Sequence, residues 1–133
     1  MNAETGFGAF RFKRYLNLET YRKNGKGVRT PVWFAVAPTD RSNAPEPRIY
    51  IYTTADSGKA KRIRNHGVAR IATCSAFGRI TDSWIDVRVE IVSGEEAGLG
   101  MRLINRKYIP LKQILDLLSL FGRHKRIVLA IRL

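Results

Sequence analysis

Tyr50-Ile51-Tyr52-Thr53-Thr54-Ala55-Asp56-Ser57-Gly58-Lys59-Ala60-Lys61-Arg62 begins as a strand and ends as a basic helix. Its first part is rich in β-branched and aromatic residues, which suit a half-buried pleated surface. Its second part opens on helix-starting chemistry: Asp56 or Ser57 can accept from the free N–H groups of a first turn, and Lys61, Arg62 and Arg64 complement the C-terminal half. Between the two lie four oxygen-bearing side chains, Thr53, Thr54, Asp56 and Ser57, and then a glycine. Unpaired N–H groups and the helix dipole favour an anion at such a start, so this stretch is a place to hold a phosphate.

The expected helix covers residues 58–65, with Gly67 placed for a left-handed stop. Upstream, residues 48–53 read as a strand behind a turn-rich loop carrying Pro38, Pro45 and Pro47. Residues 15–21 alternate as a strand, Asn24-Gly25 supplies a hairpin turn, and residues 27–36 return. Pro31 cannot donate to a ladder, which places it at an edge or a bulge. Before these, Phe7, Phe10 and Phe12 alternate with basic residues in a short helix or arm.

Downstream, residues 68–74 form a fourth strand and residues 84–92 a fifth, with Ile85, Val87, Val89 and Ile91 on one face. Ser93 and Glu96 have the spacing of a capping box for a helix running to about Tyr108, where Pro110 breaks it. Residues 111–121 have helical apolar spacing and stop at Gly122, and residues 127–133 close the chain as a strand. Six short strands, linked by a hairpin at the start and interrupted by one short helix, favour an antiparallel barrel with two late helices packed outside it.

A chain of 133 residues reads as one domain over 1–133 with a sizeable core. Twenty-four Lys and Arg against eleven Asp and Glu give a formal charge of +13, a field that draws polyanions and phosphorylated cofactors. The lone Cys74 excludes an intrachain disulfide. With no signal pattern at the N-terminus, it points to a cytoplasmic protein. No run approaches the roughly 18–20 apolar residues of a membrane span.

Catalytic machinery is sparse. His66 and His124 are the only histidines, and the acids are scattered. No zinc-ligand cluster, nucleophile elbow or phosphate-binding glycine loop is present. An enzyme built from such residues relies on a bound cofactor for its chemistry. Trp33 and Phe34 are adjacent aromatics able to wall a planar ring or to fill a core.

The runs Gly27-Val28-Arg29-Thr30-Pro31-Val32-Trp33-Phe34-Ala35, Tyr50-Ile51-Tyr52-Thr53 and Ser57-Gly58-Lys59-Ala60-Lys61-Arg62 resemble the pyridoxamine 5′-phosphate oxidase-like superfamily. Within it they look most like the small F420-dependent flavin/deazaflavin oxidoreductases. Gly78-Arg79, the strand from Trp84 and Asn105-Arg106-Lys107-Tyr108 extend the likeness over about residues 12–133. The resemblance implies a split β-barrel of the FMN-binding type, a homodimer, and a cofactor held at the dimer interface. It puts the cofactor phosphate on Thr53, Ser57, Lys59, Lys61 and Arg62, and the ring or its side chain beside Arg29, Thr30, Pro31 and Val32. The oxidase branch carries a lysine near Phe34 and an arginine at Gly58; neither is present here, which points away from pyridoxamine phosphate oxidation. The expected activity is hydride transfer between bound coenzyme F420, or alternatively FMN, and a small molecule, with no side chain named as acid or base. Two other readings compete: a basic nucleic-acid-binding small barrel, and a peripheral membrane protein using residues 111–126. Neither partner is favoured, because the cations are spread along the chain and the helix suits burial.

Overall fold

The computed structural model describes residues 7, 10, 12–37, 47–75, 77–81, 83–108 and 126–133. Residues 38–46 of the proline-rich loop expected from Pro38 to Pro47, the second late helix over 111–121, and His124 lie outside the described residues. In chain order the elements are β1 (Leu16–Tyr21), β2 (Gly27–Val32), β3 (Ala35–Ala37), β4 (Arg48–Thr54), α1 (Gly58–Asn65), β5 (Val68–Thr73), β6 (Ile85–Val92), α2 (Gly94–Lys107) and β7 (Arg126–Arg132).

The described strands form one antiparallel sheet in the order β2-β1-β5-β6-β7-β4-β3. β2 and β3 occupy opposite edges, yet only Trp33 and Phe34 separate them in the chain. Two residues cannot cross a flat sheet of this width, so the sheet must curl until its edges meet. The result is a mainly β half-barrel. The single returning strand expected over 27–36 is therefore two strands, and the sheet has seven rather than six among the described residues. The chain leaves the edge of β1 at Val32 and joins the edge of β4 at Ala35.

Side-chain alternation runs unbroken through that junction. Val32, Phe34 and Val36 join the inner core, whereas Trp33, Ala35 and Ala37 join a second cluster outside the sheet. β4 and β7 split the same way: Ile49, Ile51, Leu129 and Ile131 point inward, and Tyr50, Tyr52, Val128 and Ala130 outward. One strand pattern thus feeds two cores on opposite faces. Phe7 and Phe10 stack edge-on toward Phe34 in the inner core, while Phe12 is exposed. α1 buries Ala60 and Ile63, the latter in the inner core.

α2 covers the outer cluster with Ile104, assisted by Ala97, Met101 and Leu103. Gly100 lets it approach: a Cβ there would lie 3.0 Å from atoms of Tyr50 and Val128. Its expected capping box does not form. Ser93 makes no side-chain cap, Gly94 takes a left-handed φ of 62°, and the Glu96 carboxylate instead receives Arg48 and the Tyr50 hydroxyl. Gly67 is not a left-handed stop either. His66 ends α1 in extended backbone, and Gly67 passes so near β6 that its carbonyl accepts from Val89 N–H at 2.7 Å. Pro31 lies on the outermost strand with the β1–β2 register unbroken, so it marks an edge and not a bulge.

Candidate functional site

The curl leaves a gap. β3 pairs only with Arg48, Ile49 and Tyr50 of β4, and the preceding residues, Trp33 and Phe34, turn away toward β2. Beyond Tyr50, β4 has no described strand on that edge, and neither does β2 on its outer edge. Between them lies a cleft of about 320 Å³ lined by Tyr15, Pro31, Val32, Trp33, Tyr52, Thr53 and Lys59. Two unpaired strand edges carry free backbone donors and acceptors, which suit a ligand with polar edges.

One wall is aromatic and fixed. Trp33 stacks on Tyr108 at 4.7 Å between ring centroids and 12° between planes. The Tyr108 hydroxyl accepts from Phe34 N–H at 3.0 Å and donates to the Arg14 carbonyl at 2.6 Å, tying the junction to the segment before β1. Burial pushes that phenol up to about 12, so it remains a donor at any working pH.

The other end is polar. Ser57 caps α1: its Oγ accepts from Ala60 N–H at 3.1 Å and from the Thr53 hydroxyl at 2.9 Å. With both acceptor positions filled, the Ser57 hydroxyl proton can be donated outward. Helix geometry leaves the Gly58 and Lys59 N–H groups without intrahelical acceptors. Lys59 lines the cleft, and its amine is pushed down by burial first and by the nearby Arg62 second. A half-buried cation with no described carboxylate paired to it is suited to an anion.

Of the residues expected from sequence, Pro31, Val32, Thr53 and Lys59 line this cleft, and Ser57 touches it through Thr53. Arg29 turns elsewhere: its Nε donates to Glu19 at 2.7 Å and its guanidinium lies over Trp84. Thr30 and Lys61 are not among the lining residues. Arg62 folds back one turn against Gly58 and donates to the Thr20 hydroxyl. Tyr15 and Tyr52 line the cleft without having been expected there. Their signal was available in part: Tyr52 shares the outward face with Trp33, but only the two-residue junction brings them together.

No family model matches the chain, and no curated protein matches it by sequence. Solved structures do match. HutZ, the heme storage protein of Vibrio cholerae, aligns over 99% of this chain and 90% of its own, with a TM-score of 0.63 at 14% identity. A Listeria innocua protein provisionally assigned as a pyridoxamine 5′-phosphate oxidase aligns over 97% of this chain and 90% of its own (TM-score 0.56, 10% identity). An F420 reductase aligns over 96% and 92% (TM-score 0.55, 16% identity). The chain has the split-barrel fold of the pyridoxamine 5′-phosphate oxidase-like proteins. In this split barrel the split is the β2–β4 cleft, and the capped start of α1 stands at its polar end. Among the described residues no cluster of His, Cys, Asp and Glu could hold a metal ion, and no helix is long and apolar enough to cross a membrane.

Proposed function

We propose that the β2–β4 cleft binds a flavin or deazaflavin and that the protein is an oxidoreductase transferring a hydride between that cofactor and a small molecule. The observation that carries this reading is one cleft with an aromatic wall at Trp33 and Tyr52, the Trp33 ring stacked on Tyr108, and an anion-suited end at Lys59 beside the Ser57 cap. Thr53, Ser57 and Lys59 hold the phosphate in this reading, with Arg62 and Lys61 supplying the field behind it. Pro31 and Val32 flank the ring, with Arg29 and Thr30 further along the same strand. The cofactor supplies hydride chemistry; the protein positions it and limits water. Coenzyme F420 is favoured over FMN because its phosphodiester and polyglutamate tail match a formal charge of +13. The reading includes a homodimer and a cytoplasmic setting. Heme storage, named for one structural neighbour, finds less support: the described histidine, His66, lies at the far end of α1 from this cleft.

Titrating the purified protein with F420 and with FMN, followed by visible absorbance, tests the reading. A saturable spectral shift at micromolar concentration is expected, weakened about tenfold or more in the double variant Ser57→Ala/Lys59→Ala. No binding of either cofactor, or binding indifferent to both substitutions, sinks it.

A further inference from the structure

A second cleft opens at the other end of α1. It measures about 380 Å³ and is lined by Tyr21, Arg22, Lys23, Asn65 and His66. Four of these five side chains can donate N–H hydrogen bonds, and none is a carboxylate. The fifth, Tyr21, directs its hydroxyl to Glu19 at 2.9 Å, so it offers the cleft its ring, which lies 6.2 Å from the His66 ring.

The backbone on one side of the cleft is held by its own hydrogen bonds, and Arg22, Lys23, Asn65 and His66 are exposed. The β1–β2 turn that carries Arg22 and Lys23 is closed by three bonds: Arg22 N–H to the Lys26 carbonyl, Gly25 N–H to the Arg22 carbonyl, and Lys26 N–H to Asn24 Oδ1. Gly25 supplies the left-handed φ of 86° that the turn requires. Arg22 and Lys23 form no ion pair with a described acid. Glu19, the acid tied to Tyr21, is already committed to Arg29 and Arg70. Arg62 stands close behind, held at Thr20, and is pushed down by burial and by Arg22. Complementing the helix dipole accounts for Arg62 and Arg64 in the last turn of α1. It does not account for Arg22 and Lys23, which arrive from a different element.

We propose that this cleft is a second anion site, separate from the β2–β4 cleft, that takes an oligoanion such as an oligophosphate or oligocarboxylate. An extended anion is favoured over a single ion because the donors come from two elements on either side of the cleft. The shared chemistry has two sources: a free oligoanion, or an anionic tail on a molecule seated in the first cleft.

The full chain is titrated with sodium tripolyphosphate by calorimetry at a constant ionic strength of about 0.15 M, where diffuse attraction is screened. Arg22→Gln/Lys23→Gln is expected to weaken binding about tenfold or more. Arg88→Gln/Arg106→Gln removes the same charge elsewhere and is expected to change it less than about twofold. Lys59→Ala is expected to remove only the binding that belongs to the first cleft and to leave in place the component that Arg22→Gln/Lys23→Gln weakens, so loss of this site and loss of cofactor binding are read separately. Equal weakening by the Arg88/Arg106 control overturns the proposal in favour of the general field, and abolition by Lys59→Ala overturns it in favour of the first cleft. Competition by F420 but not by FMN assigns the site to a ligand tail, and no competition by either assigns it to a free oligoanion.

Discussion

Glu19 is the least expected acid in the molecule: a carboxylate on β1, 4% exposed, on the sheet face away from the inner core. It receives Arg29 Nε at 2.7 Å, Arg70 Nη2 at 2.7 Å and Nε at 2.9 Å, and the Tyr21 hydroxyl at 2.9 Å. Burial by itself raises its pKa, but the hydrogen bonds from Arg29, Arg70 and Tyr21 outweigh burial and hold it at about 2, against an ordinary 4.5. A carboxylate whose folded value lies below its unfolded one stabilises the fold above the unfolded value. That stability is lost as pH falls from about 4.5 through about 2. At about 1.4 kcal/mol per pH unit this amounts to about 3 kcal/mol.

Glu19→Gln keeps the shape and one acceptor but removes the charge, leaving two guanidinium groups facing each other. The variant is expected to be about 2–3 kcal/mol less stable than the wild type at pH 7, and the gap is expected to close by about pH 2. Urea unfolding of both proteins, followed by circular dichroism from pH 7 to pH 2, gives the difference directly and cancels the other titrating groups. A gap below about 0.5 kcal/mol at pH 7 shows that the ion pairs contribute no more than exposed ones. A gap that stays constant across the range shows that packing, not charge, holds Glu19 in place. Either result refutes the reasoning.

Lys107 lies with Nζ 3.6 Å from the centre of the Phe34 ring and without a hydrogen-bond acceptor, and burial pushes it down to about 8 from 10.5. Below pH 8 it is charged in both states and the burial cost is complete; from pH 8 to 10.5 only the unfolded chain stays protonated, so wild-type stability is expected to rise with pH. Lys107→Met is expected to gain up to about 3 kcal/mol at pH 7, less the cation–π contact, and to flatten that rise; thermal melts at pH 7 and pH 10 check both. Gly100→Ala places a methyl 3.0 Å from Tyr50 and Val128 and is expected to cost about 1–2 kcal/mol in denaturant unfolding. Ser57→Ala removes the α1 cap and is expected to cost about 1 kcal/mol, with amide exchange in the first turn of α1 accelerated.

Most of the fold was legible because its signals are local. Asn24-Gly25, the alternation of Ile85, Val87 and Val89 in β6 and the Ser57 cap each act within a few residues, and each stands where its pattern places it, although Ile91, expected on the same face of β6, is exposed. What escaped depends on residues far apart in sequence. The break at Trp33–Phe34 leaves no mark on the alternation, which passes straight through it; it exists because β1 and β4 each take half of the strand. The capping box at Ser93 failed because Arg48, 48 residues before Glu96, competes for its carboxylate. Arg29 sat beside the right wall but pairs across the sheet with Glu19, which period-two reading of a single strand cannot reveal.

The charge is where sequence and structure differ most usefully. Along the chain the cations look evenly spread, which weakens any argument from net charge to a site. Among the described residues the ion-paired acids gather at two arginine sites. Glu19 is committed to Arg29 and Arg70, and Glu90 and Glu96 both face Arg48 at the start of α2. One carboxylate thus serves both Arg29 and Arg70, and two carboxylates serve Arg48. Lys59, Arg62, Arg22 and Lys23 lie along α1 and the adjoining turn, with Asp56 the described acid on that side, just before the Ser57 cap; Lys59 is pushed down by burial and then Arg62, and Arg62 by burial and then Arg22. Burial contributes more to each shift, and the like-charge part places Lys59, Arg62 and Arg22 within reach of one another. An anion at either cleft relieves repulsion on that row, and Arg62 stands between the two. Net charge alone therefore predicts attraction without address; the cations that line the two clefts, Lys59 at one end of the helix that follows Thr53 and Arg22 and Lys23 at the other, supply the address.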